Sequence, residues 1–337
     1  MFTIAIEVTN ICNRQCLHCL RNKADAPESL PLELADAILS QARALGIKNI
    51  MLTGGEVAAY PHLEELVRLL AARDFSFNLV TNGFRFQERL LPLLSEGAVK
   101  KKLTGVCFSL DGARAETHDA LRGPGSFKEV LNAVSLCNLS DIPMSLKSVF
   151  TMFNREELTD LALLGATLGA QDHCFLYTYP TPTSLRAGAI PSPSEQARMF
   201  KWVRESLAST VRGQVTVENF PEDQIMFACC TNTGVLSVDH QGNLIFCCFL
   251  SHVNEGDGVP SRLGPEVLGS LKEVSLKEGI KRHFYMVARL MAARVDAADR
   301  LSGLTHNPCF WCAKHFGKLG WLKDFPDSPW AAGMLEG

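Results

Sequence analysis

The sequence predicts an α/β fold of six parallel strand–helix repeats, followed by a smaller unit made of a β-hairpin and helices. Three observations carry this expectation. Apolar, β-rich runs alternate with helix-period segments through the first two-thirds of the chain. The strand runs are apolar at successive positions, as in Ile50-Met51-Leu52, which suits a parallel sheet covered by helices. Beyond about residue 213 the rhythm changes, and 337 residues suit two domains at roughly 100–200 residues each. The expected division is 1–212 and 213–337.

In chain order, strands are expected at Phe2 to Val8, Asn49 to Thr53, Ser76 to Val80, Gly105 to Leu110, Pro143 to Phe150 and His173 to Tyr177. Leu34, Ile38, Ala42 and Leu45 form a helical stripe, and Leu63, Leu66, Val67 and Leu70 form another after Pro61. The Pro- and Ser-rich stretch 179–194 reads as loop, and a helix over about Glu195 to Leu207 closes the first unit. Val235–Val238, the turn Asp239-His240-Gln241-Gly242 and Asn243–Phe246 read as a hairpin. Residues 253–269 are Gly-, Pro- and charge-rich and read as surface loop, and 270–298 as helix.

Composition narrows the function. With 33 basic against 36 acidic residues, the formal charge of −3 gives no global positive field for polyphosphate, so nucleic acid is not the expected partner. The longest uncharged apolar stretch, near 161–170, is far short of a membrane span. Met1 to Glu7 carries no basic n-region or cleavage site and already reads as a strand, so a soluble, cytoplasmic protein is expected. In a reducing compartment, twelve cysteines are free for metals and catalysis rather than disulfides.

Nine of the twelve are grouped: Cys12, Cys16 and Cys19; Cys229 and Cys230; Cys247 and Cys248; Cys309 and Cys312. The first group is C-x3-C-x2-C, directly after the first strand. A structural zinc site takes four ligands, and no fourth lies nearby. An iron–sulfur cluster normally takes four cysteines, so three leave one iron open.

On this loop the chain resembles the radical S-adenosylmethionine superfamily, over roughly residues 1 to 190. The resemblance implies a partial (β/α)6 barrel of parallel strands and a 4Fe-4S cluster held by Cys12, Cys16 and Cys19. It also implies S-adenosylmethionine chelating the open iron, and reductive cleavage to a 5′-deoxyadenosyl radical that takes a hydrogen atom from substrate carbon. A reducing donor of the flavodoxin or ferredoxin type is implied as well. Thr53-Gly54-Gly55-Glu56 after the second strand resembles the family's GGE motif for the methionine moiety, and Asn82 after the third strand lies in a segment that approaches the cofactor in relatives. Ser109 and Asp111 after the fourth strand lie in another, and alternation places them on one face with Cys107. Arg122 resembles an arginine that pairs with the cofactor carboxylate, with a surface helix-end arginine as the bland alternative. His18 stands where relatives often carry an aromatic residue near the adenine.

Cys230, Gly242, Cys247 and Cys309-Phe310-Trp311-Cys312 resemble the C-x(9–15)-G-x4-C…C-x2-C spacing of the superfamily's SPASM and twitch domains. The chain's last cysteine is Cys312, so the shorter twitch form, with one auxiliary 4Fe-4S cluster on Cys230, Cys247, Cys309 and Cys312, is the expectation. Cys229 is an alternative to Cys230, and zinc is an alternative to the cluster. Cys107, Cys137 and Cys174 stand alone; isolated cysteines are usually small buried hydrophobes. Cys107, Cys174 and Cys229 are nevertheless the candidate hydrogen donors to a substrate radical.

The resulting expectation is an enzyme that oxidatively modifies or cross-links a ribosomally made peptide, a reading weakened by the lack of a leader-binding domain before the first strand but compatible with a separate recognition protein. The alternative is a sugar or aminoglycoside dehydrogenase or epimerase. A non-catalytic iron–sulfur electron carrier is the remote alternative, since a carrier has no need of an open iron.

Overall fold

The computed structural model describes residues 2–21, 25–211, 215–217, 234–252, 264–298 and 307–331. Its frame is a sheet of β1 (Thr3–Thr9), β2 (Asn49–Gly54), β3 (Ser76–Thr81), β4 (Leu103–Ser109), β5 (Met144–Val149), β6 (His173–Leu176), β7 (Val215–Val217), β8 (Val235–Val238), β9 (Asn243–Ile245) and β10 (Val267–Ser270). The spatial order is β10-β9-β8-β1-β2-β3-β4-β5-β6-β7. Strands β1 to β7 are parallel neighbours in sequence order, joined by helical crossovers. The sheet is therefore an open partial barrel of the expected kind, not a closed ring.

Two short strands add to the expected set. β7 continues the sheet past β6, and β10 pairs antiparallel with β9 inside the stretch read as loop. Their three and four residues are too few for a periodicity to show. The hairpin β8–β9 forms where the turn sequence places it, and β8 pairs parallel with β1, so the sheet runs on through the second unit.

Burial alternates along β3, β5 and β6. Leu146 and His173 face the helix Leu158–Thr167, whose Gly165 has no room for a Cβ beside them. Lys147 and Cys174 take the opposite, half-buried face. One face is thus covered by helices and the other is left half-buried, as in the expected partial barrel. The helix Leu32–Ala44 buries Ala35, Ile38, Leu39 and Ala42, while Leu45, its C-cap, is 40% exposed. Of the expected stripe, Ile38 and Ala42 are buried and Leu34 packs against the core, so only Leu45 departs from it. In the helix Leu63–Ala72 the expected stripe is the buried one.

The stretch 179–194 also departs from a plain loop, because Thr181 caps a short helix, Pro182–Arg186. Ser192 and Glu195 form a second capping box that starts the helix Pro193–Trp202. Among the described residues, no helix is long and apolar enough to cross a membrane.

Candidate functional site

Parallel strands direct their C-terminal ends to one rim, where ligands meet such sheets. The cysteine loop leaves that rim at the end of β1 and is clamped at its base. Thr9 Oγ1 and Asn10 N–H both donate to the Glu28 carbonyl, and Asn10 Nδ2 donates to the Ala26 carbonyl at 2.7 Å. Farther along, Leu17 N–H donates to the Leu121 carbonyl at 3.0 Å, and Arg14 pairs with Glu129. The loop is held from both sides before any ligand enters.

Gly54 and Gly55 brace the loop from β2. Gly55 N–H donates to the Thr9 carbonyl at 2.7 Å and Glu56 N–H to the Ile11 carbonyl at 2.9 Å. A Cβ on Gly54, whose φ is +136°, would strike Thr9, and one on Gly55 would strike Ile11. In this fold the two glycines meet the backbone of the cysteine loop.

The carboxylate of Glu56 turns inward and is buried. Its Oε1 accepts from Ala58 N–H at 3.0 Å and Thr81 Oγ1 at 2.6 Å, and its Oε2 accepts from Asn82 N–H at 2.8 Å. Burial pushes the carboxyl up to about 7, and these donors only partly oppose that. Asn82 then bridges to the loop, with Nδ2 at 2.9 Å from Asn13 Oδ1 and 3.9 Å from Cys12 Sγ.

A second chain of contacts converges on Cys16. Asp111, fully buried, accepts from the Val149 N–H at 2.8 Å, pairs with Arg122 and lies 3.2 Å from His18 Nε2. Burial opposes its ionisation, but Arg122 and His18 hold the carboxyl well below the usual range. Arg122 points Nη1 toward Cys16 Sγ at 3.9 Å and Nη2 toward His18 Nε2 at 3.4 Å. Behind them His118 Nδ1 accepts from the Asp111 N–H at 3.1 Å, and burial lowers its pKa to about 4, so it is neutral.

The structure thus brings Cys12, Cys16, Cys19, His18, Glu56, Asn82, Asp111 and Arg122 to one rim. Ser109 ends β4 beside Lys147, on the half-buried face. Cys107 lies deeper and is buried; Cys174 lies across β5 from it, half-buried on the same face. Cys137 is core on the helix Ser126–Leu139, its thiol pushed by burial to about 12. Cys229 and Cys230 fall outside the described residues. Cys309 and Cys312 sit on the helix Pro308–His315, whose N-cap Asn307 accepts from Cys309 N–H at 2.9 Å. Cys247 directly precedes the helix Cys248–His252, which contacts that helix.

The donor chemistry of the first group fits an iron–sulfur cluster. Burial pushes the Cys16 thiol up to about 11 and raises Cys12, while Arg122 and the Arg14 N–H, 3.4 Å from Cys12 Sγ, favour the thiolate forms that ligands need. The three thiols sense one another's charge. Among the described residues, however, no three His, Cys, Asp or Glu side chains converge tightly enough for a single metal ion. A multi-iron cluster spans a wider set than one ion does.

Sequence reasoning missed Thr9, Asn10, Arg14 and His118. The Thr-Asn pair before the first cysteine was a readable signal, because both residues favour local side-chain hydrogen bonds at loop entries. Arg14 and His118 gave none, since their partners lie on other elements.

An open α/β partial barrel with a three-cysteine loop at the end of β1 defines the class. Residues 6–164 match the Radical SAM superfamily, and this part of the chain is a radical S-adenosylmethionine domain. The chain is 28% identical to the AdoMet-dependent heme synthase of Methanosarcina barkeri over 60% of its own length and 57% of that protein's. It is 26% identical to the mycofactocin maturase MftC of Mycobacterium tuberculosis over 73% and 64%. It therefore spans less than two-thirds of the length of these curated relatives. Streptococcus suis SuiB bound to its precursor peptide SuiA shares the fold, with a TM-score of 0.65 at 14% identity over 82% of this chain and 63% of SuiB.

Proposed function

We propose that the protein is a radical S-adenosylmethionine enzyme that oxidatively modifies a ribosomally made peptide. The observation that carries the reading is the rim itself: three thiols set by a clamped loop, with Glu56 and Arg122 on either side of it. When bound, the cluster and S-adenosylmethionine supply a carbon-centred radical that abstracts hydrogen. The chain's own residues position that chemistry. Glu56 and Asn82 would receive the cofactor's amino-acid end, Arg122 its carboxylate, and His18 would lie toward the adenine. Asp111 acts through Arg122, holding the guanidinium in place. Residues 213–337 would carry the auxiliary cluster on Cys230 or Cys229, Cys247, Cys309 and Cys312, as a functional unit built onto the same sheet. A flavodoxin- or ferredoxin-type protein would supply the reducing electron.

Peptide as substrate is supported by relatives whose names describe a maturase and a precursor-peptide complex. A small-molecule substrate is the second reading, favoured by the heme synthase relative. The test is anaerobic reduction with S-adenosylmethionine. The protein should release 5′-deoxyadenosine, and the triple variant Cys12→Ala, Cys16→Ala, Cys19→Ala should release none while keeping the second cluster. Continued release by that variant would sink the assignment.

A further inference from the structure

The long helix Leu276–Ala297 places its core-facing side chains at 276, 280, 283, 287, 290 and 294, a regular i+3/i+4 stripe. Five of these positions hold Leu276, Ile280, His283, Val287 and Leu290; the sixth holds Arg294. Arg294 is only 2% exposed, although an arginine is almost never fully buried unless paired. Its Nη2 donates to the Pro308 carbonyl at 2.9 Å and to Cys312 Sγ at 3.0 Å. The guanidinium also lies over the Trp311 ring, 5.3 Å from its centroid. These contacts are to the C-x2-C turn and helix that carry Cys309 and Cys312.

A thiolate, the form in which cysteine ligates metal, is a stronger acceptor for the charged Arg294 donor 3.0 Å away than a protonated thiol. The donor chemistry at Cys312 therefore fits a metal-bound sulfur. We infer that Arg294 is a positioning and tuning residue for the auxiliary cluster, donating a charge-assisted hydrogen bond to the ligand sulfur of Cys312. The inference rests on the auxiliary-cluster reading above.

The expected consequence is electrochemical. Reduction adds an electron to the cluster, and a cation and an N–H donor at a ligand sulfur stabilise the more negative state. Arg294 thus raises the cluster's reduction potential and makes it a readier electron acceptor. The first cluster lies at the other cysteine loop, with its own arginine, Arg122, so the two potentials are set separately.

The experiment is a redox titration, followed by electron paramagnetic resonance, of anaerobically reconstituted full-length protein. It compares wild type with Arg294→Met and Arg294→Lys, each also carrying Cys12→Ala, Cys16→Ala and Cys19→Ala so that one cluster signal remains. The midpoint potential should fall in Arg294→Met and fall less in Arg294→Lys, which keeps the charge but loses the fork. An unchanged or higher potential in both overturns the inference. If Arg294→Met does not hold the cluster, Arg294→Lys decides alone: a lowered potential supports the assignment and an unchanged one overturns it. Metal analysis of the unmutated protein separates the two levels. One iron cluster with stoichiometric zinc defeats the auxiliary-cluster reading itself, whereas two clusters with an indifferent Arg294 defeat only the tuning.

Discussion

Glu56 is held by the fold at the edge of the proposed cofactor site. Its three hydrogen bonds tie β2, β3 and the segment after the glycines together, with two of them on Oε1 and one on Oε2, so Oε2 keeps acceptor capacity for an ammonium group. Glu56→Ala should weaken S-adenosylmethionine binding by very roughly ten- to a hundredfold, because a charge-assisted hydrogen bond contributes on the order of 1.5–3 kcal/mol. The pH dependence follows from burial. The carboxyl is raised to about 7, so it gains its proton as pH falls through that value and can no longer attract a cation as an anion. Affinity should therefore be lower at about pH 6 than at about pH 8 in the wild type, and the difference should shrink in Glu56→Gln. Equilibrium binding to the reconstituted protein measures both, and an identical pH profile in the variant would remove Glu56 from the cofactor site. His173 on β6 is a core residue. Burial lowers its pKa to about 4, and its Nε2 lies 2.7 Å from Ser148 Oγ on the helix-covered face.

The elements explain why some of this was legible and some was not. The cysteine loop and the GGE turn were readable because their chemistry is local: three thiols and two glycines within a few residues each, directly after apolar strand runs. The glycines' packing role was not, since their neighbours Thr9 and Ile11 belong to another strand and its loop. Arg294 left only an indirect trace, a cation on a mostly apolar stripe. Leu45 is exposed because the helix ends at Ala44, so this residue falls on the C-cap rather than on the buried face. The bracing makes a sharp prediction. Gly55→Ala places a methyl group against the Ile11 carbonyl, so the loop must move away from β2. Iron content at the first site should drop in this variant while the second site stays loaded, as metal analysis would show. Full occupancy at the first site, with wild-type cleavage of S-adenosylmethionine, would mean that the loop tolerates the shift.

At the scale of the whole molecule, one sheet runs across the division expected near residue 213. β8 pairs with β1 from Thr3↔Val235 to Ile6↔Val238, and the Thr3 N–H donates to the Gly234 carbonyl at 2.8 Å. Gly279 packs its helix against Leu244 of β9, and Leu276 N–H donates to Gln41 Oε1 at 2.7 Å on the first helix. Farther along, Trp330 Nε1 donates to the Pro191 carbonyl at 3.0 Å, and Tyr179 contacts the rings of both Phe249 and Phe310. The loop after β6 is thereby fixed to the helix that carries Cys309 and Cys312. A chain ending at residue 211 would lose every one of these contacts and leave the parallel edge of β1 bare, a ready template for pairing with another chain. It should elute as a multimer or aggregate on size exclusion rather than as a monomer, and its iron content at the Cys12 loop should fall because β1 carries that loop. A stable monomer with a full first cluster would instead show that residues 1–211 fold alone. The shared sheet makes the opposite outcome the expected one, since the strand that presents the three-cysteine loop is an interior strand only when β8 stands beside it.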